Sequence, residues 1–316
     1  MNVTTLILAT RPKFLPQLLI ALKHQTHRPA RVIISDDNPE QPFVAAVRGI
    51  ANTPLARDLN LQVVTGPRQG GLNNTRHLLN VWGGQTELFH LLCDDDLIYP
   101  EFYSWHVAAQ TAGFRCTISR RWSTDEHGQP IGILNEPNEV RSSSQALISV
   151  SAQQLFPAVV PTANNWLGEI SNVVMHRDLA DLYRDLSFEG IRYDGLDDIG
   201  TFLRASARQP IAIITHFLSM FRQHADQNTG NQNRRIIKLG HVAWIALAIA
   251  SQRAGLVTAE QAQQCITSVA HHTVLKYATQ PDMAEICAAL TRLGKNEAGS
   301  VDVFLECWAR FVAQGV

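Results

Sequence analysis

The residues with the clearest chemical potential are three consecutive aspartates, Asp94, Asp95 and Asp96, which follow the apolar segment 87–93. Three adjacent anions inside a strand would repel one another and carry a large desolvation cost. At the end of a strand they would instead line the crevice where α/β folds bind ligands. Their oxygens suit a hard divalent ion such as Mg²⁺ or Mn²⁺. The alternative is an acidic turn that caps the helix after Pro100.

A second pair of neighbouring carboxylates, Asp197 and Asp198, lies near the start of a helix predicted over residues 193–207. Two adjacent carboxylates can raise the pKa of one of them, which suits a general base. The alternative is a pair of acids that stabilises a helix N-terminus through the helix dipole. The pattern alone leaves both interpretations open.

The first half of the chain alternates strand-like and helix-like segments with short links. Strands are predicted over residues 3–9, 31–35, 61–65 and the segment before the first aspartate, and helices over residues 14–24, 43–51 and from the glycine-rich loop 66–71 to Val81. This rhythm predicts a mainly parallel, Rossmann-like α/β sheet with helices on both faces.

The second half has weaker patterns until its last quarter. Residues 121–134 predict a hairpin, residues 135–165 suit a mobile loop region, and residues 210–221 favour a pair of strands. Beyond residue 232 only helical patterns occur. We therefore predict a first domain over residues 1–232 and a C-terminal helical subdomain over residues 233–316.

The composition is that of a globular protein. The chain has 316 residues, of which 45% are hydrophobic and 17% charged, and this excludes the disordered and fibrous classes. The formal net charge of -1 predicts no nucleic-acid partner. The five cysteines show no CxxC pair and no zinc spacing, which indicates thiols in a reducing cytosol.

The N-terminus lacks the basic region and the cleavage site of a signal peptide, and reads as a first strand. The most apolar later stretch, residues 241–250, is shorter than the roughly 20 apolar residues that cross a bilayer. We expect a cytoplasmic protein without a transmembrane segment. Peripheral membrane contact and assembly into a homo-oligomer stay open.

Four sequence features occur in a fixed order along the chain. They are residues 6–12 with Gln25, Thr26 and Pro29; residues 35–38; residues 93–96 before Pro100; and residues 195–198 followed by residues 202–204, residues 221–224 and Asn228. Together they resemble family 2 glycosyltransferases, which are inverting enzymes with the GT-A fold. The resemblance covers roughly residues 3–230, so the helical C-terminal region is an extension outside it.

The resemblance implies a site for a nucleotide-sugar donor, with a UDP-sugar favoured. Asp37 would read the nucleobase, because a carboxylate can accept a hydrogen bond from a uracil N–H. Thr10, Arg11 and Arg68 would line the same pocket. Asp94 would contact the ribose or another part of the nucleotide.

The resemblance also implies Mn²⁺ or Mg²⁺ as cofactor, with Asp95, Asp96 and His224 as its ligands. Cys93 stands where the family usually has an aspartate. This departure leaves open which role each of the three aspartates has in the site. Arg222 would pair with a phosphate or with a carboxylate.

Asp198 is implied as the general base that takes the proton of the acceptor hydroxyl, with Asp197 as its partner in the motif. Trp166, Asn164 and Asn165 can border an acceptor site, because aromatic faces and amides suit sugars, although a packed tryptophan fits the pattern equally well. Trp244 and Trp308 lie within helical patterns and are expected in the core.

The predicted function is metal-dependent, inverting transfer of a sugar from a nucleotide-sugar to the hydroxyl of a saccharide or another acceptor, in polysaccharide or glycoconjugate synthesis. One alternative is a non-catalytic GT-A protein that serves as a scaffold or binds a partner. The other is a nucleotidyltransferase. That class requires a glycine-rich, basic loop after the first strand, and residues 9–15 contain no glycine.

Overall fold

The computed structural model describes residues 1–50, 53–225 and 234–314, without the side chains of residues 48–50 and 55. Asn228 and the predicted boundary between residues 232 and 233 lie outside these ranges, so the boundary stays a prediction. Contacts between residues divide the chain into two compact units. The first unit comprises residues 1–150, 167–184 and 208–225, and the second comprises residues 151–166, 185–207 and 226–316.

The strands are β1 (Val3–Ala9), β2 (Arg31–Asp36), β3 (Leu61–Thr65), β4 (Leu88–Cys93), β5 (Leu97–Ile98), β6 (Cys116–Thr124), β7 (Pro130–Ile133), β8 (Leu147–Val150), β9 (Val173–His176), β10 (Ser187–Phe188), β11 (Ile191–Arg192) and β12 (Ile211–Arg222).

The α-helices are α1 (Leu15–Lys23), α2 (Pro42–Ile50), α3 (Pro54–Asp58), α4 (Gly71–Trp82), α5 (Phe102–Thr111), α6 (Asn138–Arg141), α7 (Ala152–Val159), α8 (Asp197–Arg208), α9 (Arg235–Arg253), α10 (Ala259–Tyr277), α11 (Ala284–Gly294) and α12 (Ser300–Ala313). Short 3₁₀ helices cover Pro12–Phe14, Ile170–Asn172, Arg177–Tyr183 and Pro281–Met283.

The first unit is built on a ten-stranded sheet with the order β3-β2-β1-β4-β9-β6-β12-β5, to which β7 adds beside β6 and β8 beside β12. The longest pairings, among β1 to β4 and between β6 and β12, are parallel. The shorter pairings of β5, β7, β8 and β9 are antiparallel. This architecture, with the helices that follow residue 234, confirms the predicted α/β class with a mainly parallel sheet and a C-terminal helical extension.

The core of the first unit follows from the apolar strands and from one face of α1. Strand β1 is buried along most of its length, as expected for a central strand of a parallel sheet. Leu15, Leu18, Leu19 and Leu22 of α1 are buried in the same core, because residues three and four apart share one face of a helix.

Two predictions in the middle of the chain are wrong. Residues 135–165 contain α6, β8 and α7 and are not a loop region. Residues 211–222 form one twelve-residue strand with register shifts against β6, and not a pair of strands. The three elements α6, β8 and α7 span only four to eight residues each, too few to show a period, and β8 exists through its pairing with β12.

The second unit contains the helices α9 to α12, in agreement with the helical patterns predicted beyond residue 232. Most residues from Val242 to Ser251 in α9 are fully buried. Trp308 of α12 is buried and donates its indole N–H to the carbonyl oxygen of Arg192, at 2.8 Å. Within the described ranges, no helix combines the length and the apolar character needed to cross a membrane.

A close backbone contact fixes the chain just before α8. Gly195 has a φ of +92°, and a Cβ atom at this position would lie 2.9 Å from the Cα of Gly240 in α9. Both the conformation and the space at this position therefore require glycine. The contact holds the segment that carries Asp197 and Asp198 against the buried helix α9.

We expect Gly195→Ala to lower the free energy of unfolding by about 2–4 kcal/mol, because it adds overpacking to the strain of a positive φ. The matched control is Gly190→Ala. Gly190 has a φ of +73° but no heavy atom within 4 Å of an added Cβ. We therefore expect Gly190→Ala to lower the free energy of unfolding by only about 1 kcal/mol. Urea unfolding of both variants measures the difference, and equal losses would show that the contact with Gly240 contributes nothing.

Candidate functional site

The ends of three neighbouring parallel strands bring the predicted donor-site residues together in the first unit. Ala9 at the end of β1 pairs with Asp36 of β2, and Leu8 pairs with Cys93 of β4. The residues after these strands therefore meet at one edge of the sheet, as open α/β sheets arrange their ligand sites. The side-chain amide of Asn38 donates to the carbonyl oxygen of Thr10 at 2.8 Å and ties the first two ends together.

Asp94 holds the loop that follows β1. Its Oδ2 accepts hydrogen bonds from the backbone N–H groups of Thr10, at 2.6 Å, and Arg11, at 2.8 Å. Burial raises the pKa of Asp94 to about 6, although these two hydrogen bonds act in the opposite direction. Asp94 thus positions Thr10 and Arg11, and its predicted contact with the nucleotide stays a prediction.

Asp37 holds the loop that follows β3. The backbone N–H of Arg68 donates to Asp37 Oδ1 at 2.5 Å, and Arg68 adopts a φ of +59°. A Cβ on Gly66 would lie 2.5 Å from the same oxygen, so only glycine allows this approach. Asp37 is half-buried and Arg68 is exposed, an arrangement that leaves polar groups at the edge of the sheet.

Asp95 and His224, which are 129 positions apart in the chain, are in direct contact. Asp95 Oδ2 lies 3.0 Å from His224 Nε2, and the His224 side chain is only 5% exposed. The ring of His224 also lies 5.7 Å from that of Phe14, in the 3₁₀ helix after β1. Two residues that the sequence predicted for one metal site therefore lie side by side.

Asp96 is buried, whereas Asp95 before it is half-buried. The Oδ1 of Asp96 accepts the backbone N–H of Arg222 at 3.1 Å, whereas its Oδ2 makes no hydrogen bond of regular geometry with the described residues. The hydroxyl of Ser171 also interacts with the carboxylate and acts to lower its pKa. Burial, together with the negative charge of Asp95, raises the pKa of Asp96 well above its usual range. A buried carboxylate oxygen without a donor is costly, and a cation would remove that cost.

Arg222 braces the turn that carries the aspartates. Its Nε donates to the backbone carbonyl oxygen of Asp95 at 2.9 Å, and a terminal nitrogen donates to Gln17 Oε1 at 3.0 Å. The guanidinium lies 4.2 Å from the centre of the Phe14 ring. Arg222 is buried, so its hydrogen bonds serve the architecture of the site.

Three side chains of the turn can share one metal ion. Ligand atoms of Cys93, Asp95 and Asp96 all lie within 4.8 Å of one another. Two carboxylates, one of them with an oxygen that lacks a donor, fit a divalent cation. His224 contacts Asp95 and is not a member of this group within the described ranges. Its role as a ligand stays a prediction, as does the choice between Mn²⁺ and Mg²⁺.

Sequence reasoning did not assign Cys93 to this group, although a signal was present. Cys93 is the last residue of β4 and stands directly before the three aspartates, of which Asp94 and Asp95 form the turn that follows the strand. The backbone N–H of Asp96 donates to the carbonyl oxygen of Cys93 at 3.3 Å and closes the turn. Asp94, in the same turn, binds the loop after β1 instead.

In the second unit, Asp197 and Asp198 line a cavity of about 370 Å³. Both are half-buried in the first turn of α8, and Asp197 Oδ1 accepts the backbone N–H of Gly195 at 3.0 Å. The cavity is also lined by Ala163, Asn165, Gly195, Leu196, Ile199, Ile236 and Trp244. A carboxylate pair beside an aromatic ring and an amide is suited to bind hydroxyl groups.

Two tryptophans with roles predicted from the sequence, Trp166 and Trp244, are both buried. Trp244 is only 9% exposed, as its helical pattern predicted for a core residue. It also lines the cavity. Trp166 is 4% exposed and packs in the interior, whereas its neighbour Asn165 reaches the cavity. The sequence thus located the segment but did not identify which aromatic side chain faces the cavity.

Comparisons with known proteins establish the fold. No family model matches the sequence, and no curated protein matches it. The structure of S. aureus TarS 1-349 in complex with UDP-GlcNAc superposes with a TM-score of 0.56 at 14% identity, covering 100% of this chain and 93% of that chain. The complex of the same protein with UDP gives a TM-score of 0.53 at 13% identity, covering 98% and 90%. The likeness spans both units and supports the Rossmann-like GT-A fold that the sequence predicted.

Proposed function

We propose that this protein is a glycosyltransferase that transfers a sugar from a nucleotide-sugar, most suitably a UDP-sugar, to an acceptor hydroxyl with inversion at the anomeric carbon. The observation that carries the proposal is the meeting of Asp95, Asp96 and His224 beside the ends of β1, β2 and β4. The TarS structures of similar fold, which hold UDP-GlcNAc and UDP, support this choice of donor. A role in polysaccharide or glycoconjugate synthesis, and the family 2 assignment, belong to the same proposal.

The donor would bind at the edge of the sheet in the first unit. Asp37 would accept a hydrogen bond from the nucleobase, and Thr10, Arg11 and Arg68 would line the nucleotide pocket. Asp94 would contribute chiefly by holding the loop that carries Thr10 and Arg11 in place. These loops also carry the cationic side chains of Arg11, which is half-buried, and Arg68, which is exposed, and guanidinium groups suit a diphosphate.

Asp95 and Asp96, with His224 beside them, would hold Mn²⁺ or Mg²⁺. When bound, such an ion neutralises the charge that develops on the nucleoside diphosphate leaving group. Arg222 would keep the aspartates in position through the backbone of the turn.

Asp198 would act as general base and take the proton of the acceptor hydroxyl, while Asp197 holds the start of α8 through its bond to Gly195. Attack by that hydroxyl on the face opposite the leaving group inverts the anomeric configuration. Trp244 and Asn165, which line the same cavity as Asp198, suit a saccharide acceptor.

Ligand-induced stabilisation tests the donor class directly. We expect UDP-sugars with Mn²⁺ to stabilise the protein, by about 2.7 kcal/mol at a concentration 100 times the dissociation constant. GDP- and dTDP-sugars, and UDP-sugars with a chelator, should stabilise it less. Thermal shift with a panel of these sugars measures the selectivity.

The variant Asp37→Ala should lose most of the shift that UDP-sugars produce. The matched control is Asp58→Ala, which removes an exposed aspartate that pairs with Lys23 at 3.7 Å. If no nucleotide-sugar stabilised the wild-type protein, the proposed function would be wrong. A protein that bound UDP-sugars but neither hydrolysed nor transferred them would instead be a non-catalytic binding protein.

A further inference from the structure

We propose that Cys93 is a ligand of the divalent cation held by Asp95 and Asp96, so that this site binds Zn²⁺ or Co²⁺ more tightly than Mg²⁺. The inference rests on the proposed function only in that both need a cation at this turn. It adds a sulfur ligand and a metal preference that an all-oxygen site would not have.

The turn after β4 brings the side chains of Cys93, Asp95 and Asp96 close enough to bind one cation. Cys93 ends β4, Asp94 and Asp95 form the turn after it, and a hydrogen bond from Asp96 N to Cys93 O, at 3.3 Å, closes that turn. Their ligand atoms lie within 4.8 Å of one another. Tetrahedral zinc with ordinary Zn–S and Zn–O bonds requires separations of about 3.6 Å, which small side-chain rotations can supply.

An independent observation at the same place also points to a cation. The Asp96 side chain is 1% exposed, and its Oδ2 makes no hydrogen bond of regular geometry with the described residues, although the hydroxyl of Ser171 interacts with the carboxylate. Buried carboxylates are ordinarily paired or coordinate a metal, because an unsatisfied anion in the interior is costly. A cation bound by Cys93 and Asp95 would supply the missing partner.

The chemistry of sulfur sets the metal preference. Thiolate ligands favour Zn²⁺ and other borderline or soft cations, whereas Mg²⁺ demands oxygen ligands in octahedral geometry. On binding, the Cys93 thiol releases its proton to solvent and its sulfur donates an electron pair to the cation, so no oxidant or reductant is involved.

The other four cysteines should not bind the metal, so they should not contribute to a spectroscopic test of Cys93. Cys116, Cys265, Cys287 and Cys307 are buried, whereas Cys93 is only half-buried. Burial raises the pKa of Cys265 to about 12 and that of Cys307 to about 11, so these thiols are poor metal ligands.

The test is titration of the full-length protein with Co²⁺, followed by absorption spectroscopy. We expect the wild-type protein to develop a sulfur-to-cobalt charge-transfer band that saturates at one equivalent and is abolished by Zn²⁺. Cys93→Ser should lack the band, whereas the control Cys307→Ser should retain it. The Zn²⁺ affinity of Cys93→Ser should fall on the order of tenfold or more, because losing a residue that only hydrogen-bonds to a metal ligand already costs about that much.

A second measurement needs no variant. Zn²⁺ should protect Cys93 of the wild-type protein from alkylation, as located by mass spectrometry of its peptide. Absence of the band from wild type, its persistence in Cys93→Ser, or alkylation of Cys93 unaffected by Zn²⁺ would each overturn the inference.

The two proposals can fail separately. Mn²⁺-dependent binding of UDP-sugars without a sulfur-to-cobalt band would leave the proposed function intact and refute the role of Cys93. A band that depends on Cys93, in a protein that binds no nucleotide-sugar, would support the metal ligand and refute the glycosyltransferase.

Discussion

Asp198→Asn is expected to reduce the turnover of sugar transfer by about 10²–10⁴-fold, the usual contribution of a general base. Asparagine keeps the size of the side chain but cannot take a proton from the acceptor hydroxyl at neutral pH. Asp198 lines the cavity of about 370 Å³, where an acceptor would bind. Steady-state kinetics with a UDP-sugar should show a loss in kcat, while thermal shift should show unchanged binding of the donor.

The control for this variant is Asp302→Asn. Asp302 is an exposed acid in the first turn of α12, so its replacement removes the same charge from a helix N-terminus without touching the cavity. We expect full activity from this control. Full activity of Asp198→Asn would exclude Asp198 as the base. An equal loss from Asp302→Asn would show that the effect comes from helix stability.

Asp95→Asn is expected to lower metal-dependent transfer by about 10²–10³-fold, because charge stabilisation by a metal is worth several kcal/mol and each 1.36 kcal/mol is a factor of ten. Asparagine can still hydrogen-bond to His224 but lacks the negative charge that holds a hard cation. The variant should also bind Mn²⁺ more weakly, which isothermal titration calorimetry measures without any turnover.

Asp178→Asn provides a matched control, because Asp178 Oδ2 also lies 3.0 Å from a histidine nitrogen, in His176. This second aspartate–histidine pair lies away from the metal-ligand group, and its carboxylate is 63% exposed. We expect the control to retain metal binding and activity. If Asp95→Asn bound Mn²⁺ as well as the wild type does, the assignment of Asp95 as a ligand would be wrong.

Local sequence patterns predicted much of the fold. The alternation of strands and helices up to β4, the hairpin of β6 and β7, and the four C-terminal helices are all present. Each of these elements is indicated by a hydrophobic repeat or a turn sequence that lies within a short stretch of the chain. The prediction of a loop region over residues 135–165 was wrong because the helices and the strand there span only four to eight residues. In addition, β8 depends on its pairing with β12, more than 60 residues away in the chain.

The same distinction between local sequence patterns and tertiary contacts applies to the site. The sequence by itself determined which acids are available and which elements carry them. Asp37 follows β2, Asp94 to Asp96 follow β4, and Asp197 and Asp198 begin α8. The sequence also determined the mainly parallel sheet, because apolar periodicity and turn residues act over short distances along the chain.

Only the tertiary structure decided what each acid contacts. Strand register and the turn after β4 direct Asp94 to the loop after β1, Asp95 to His224, and Cys93 into the group of metal ligands. Side chains from segments 129 positions apart become neighbours through the packing of the whole sheet. No local pattern records such a distance, because it is set by strand order and register in the folded molecule.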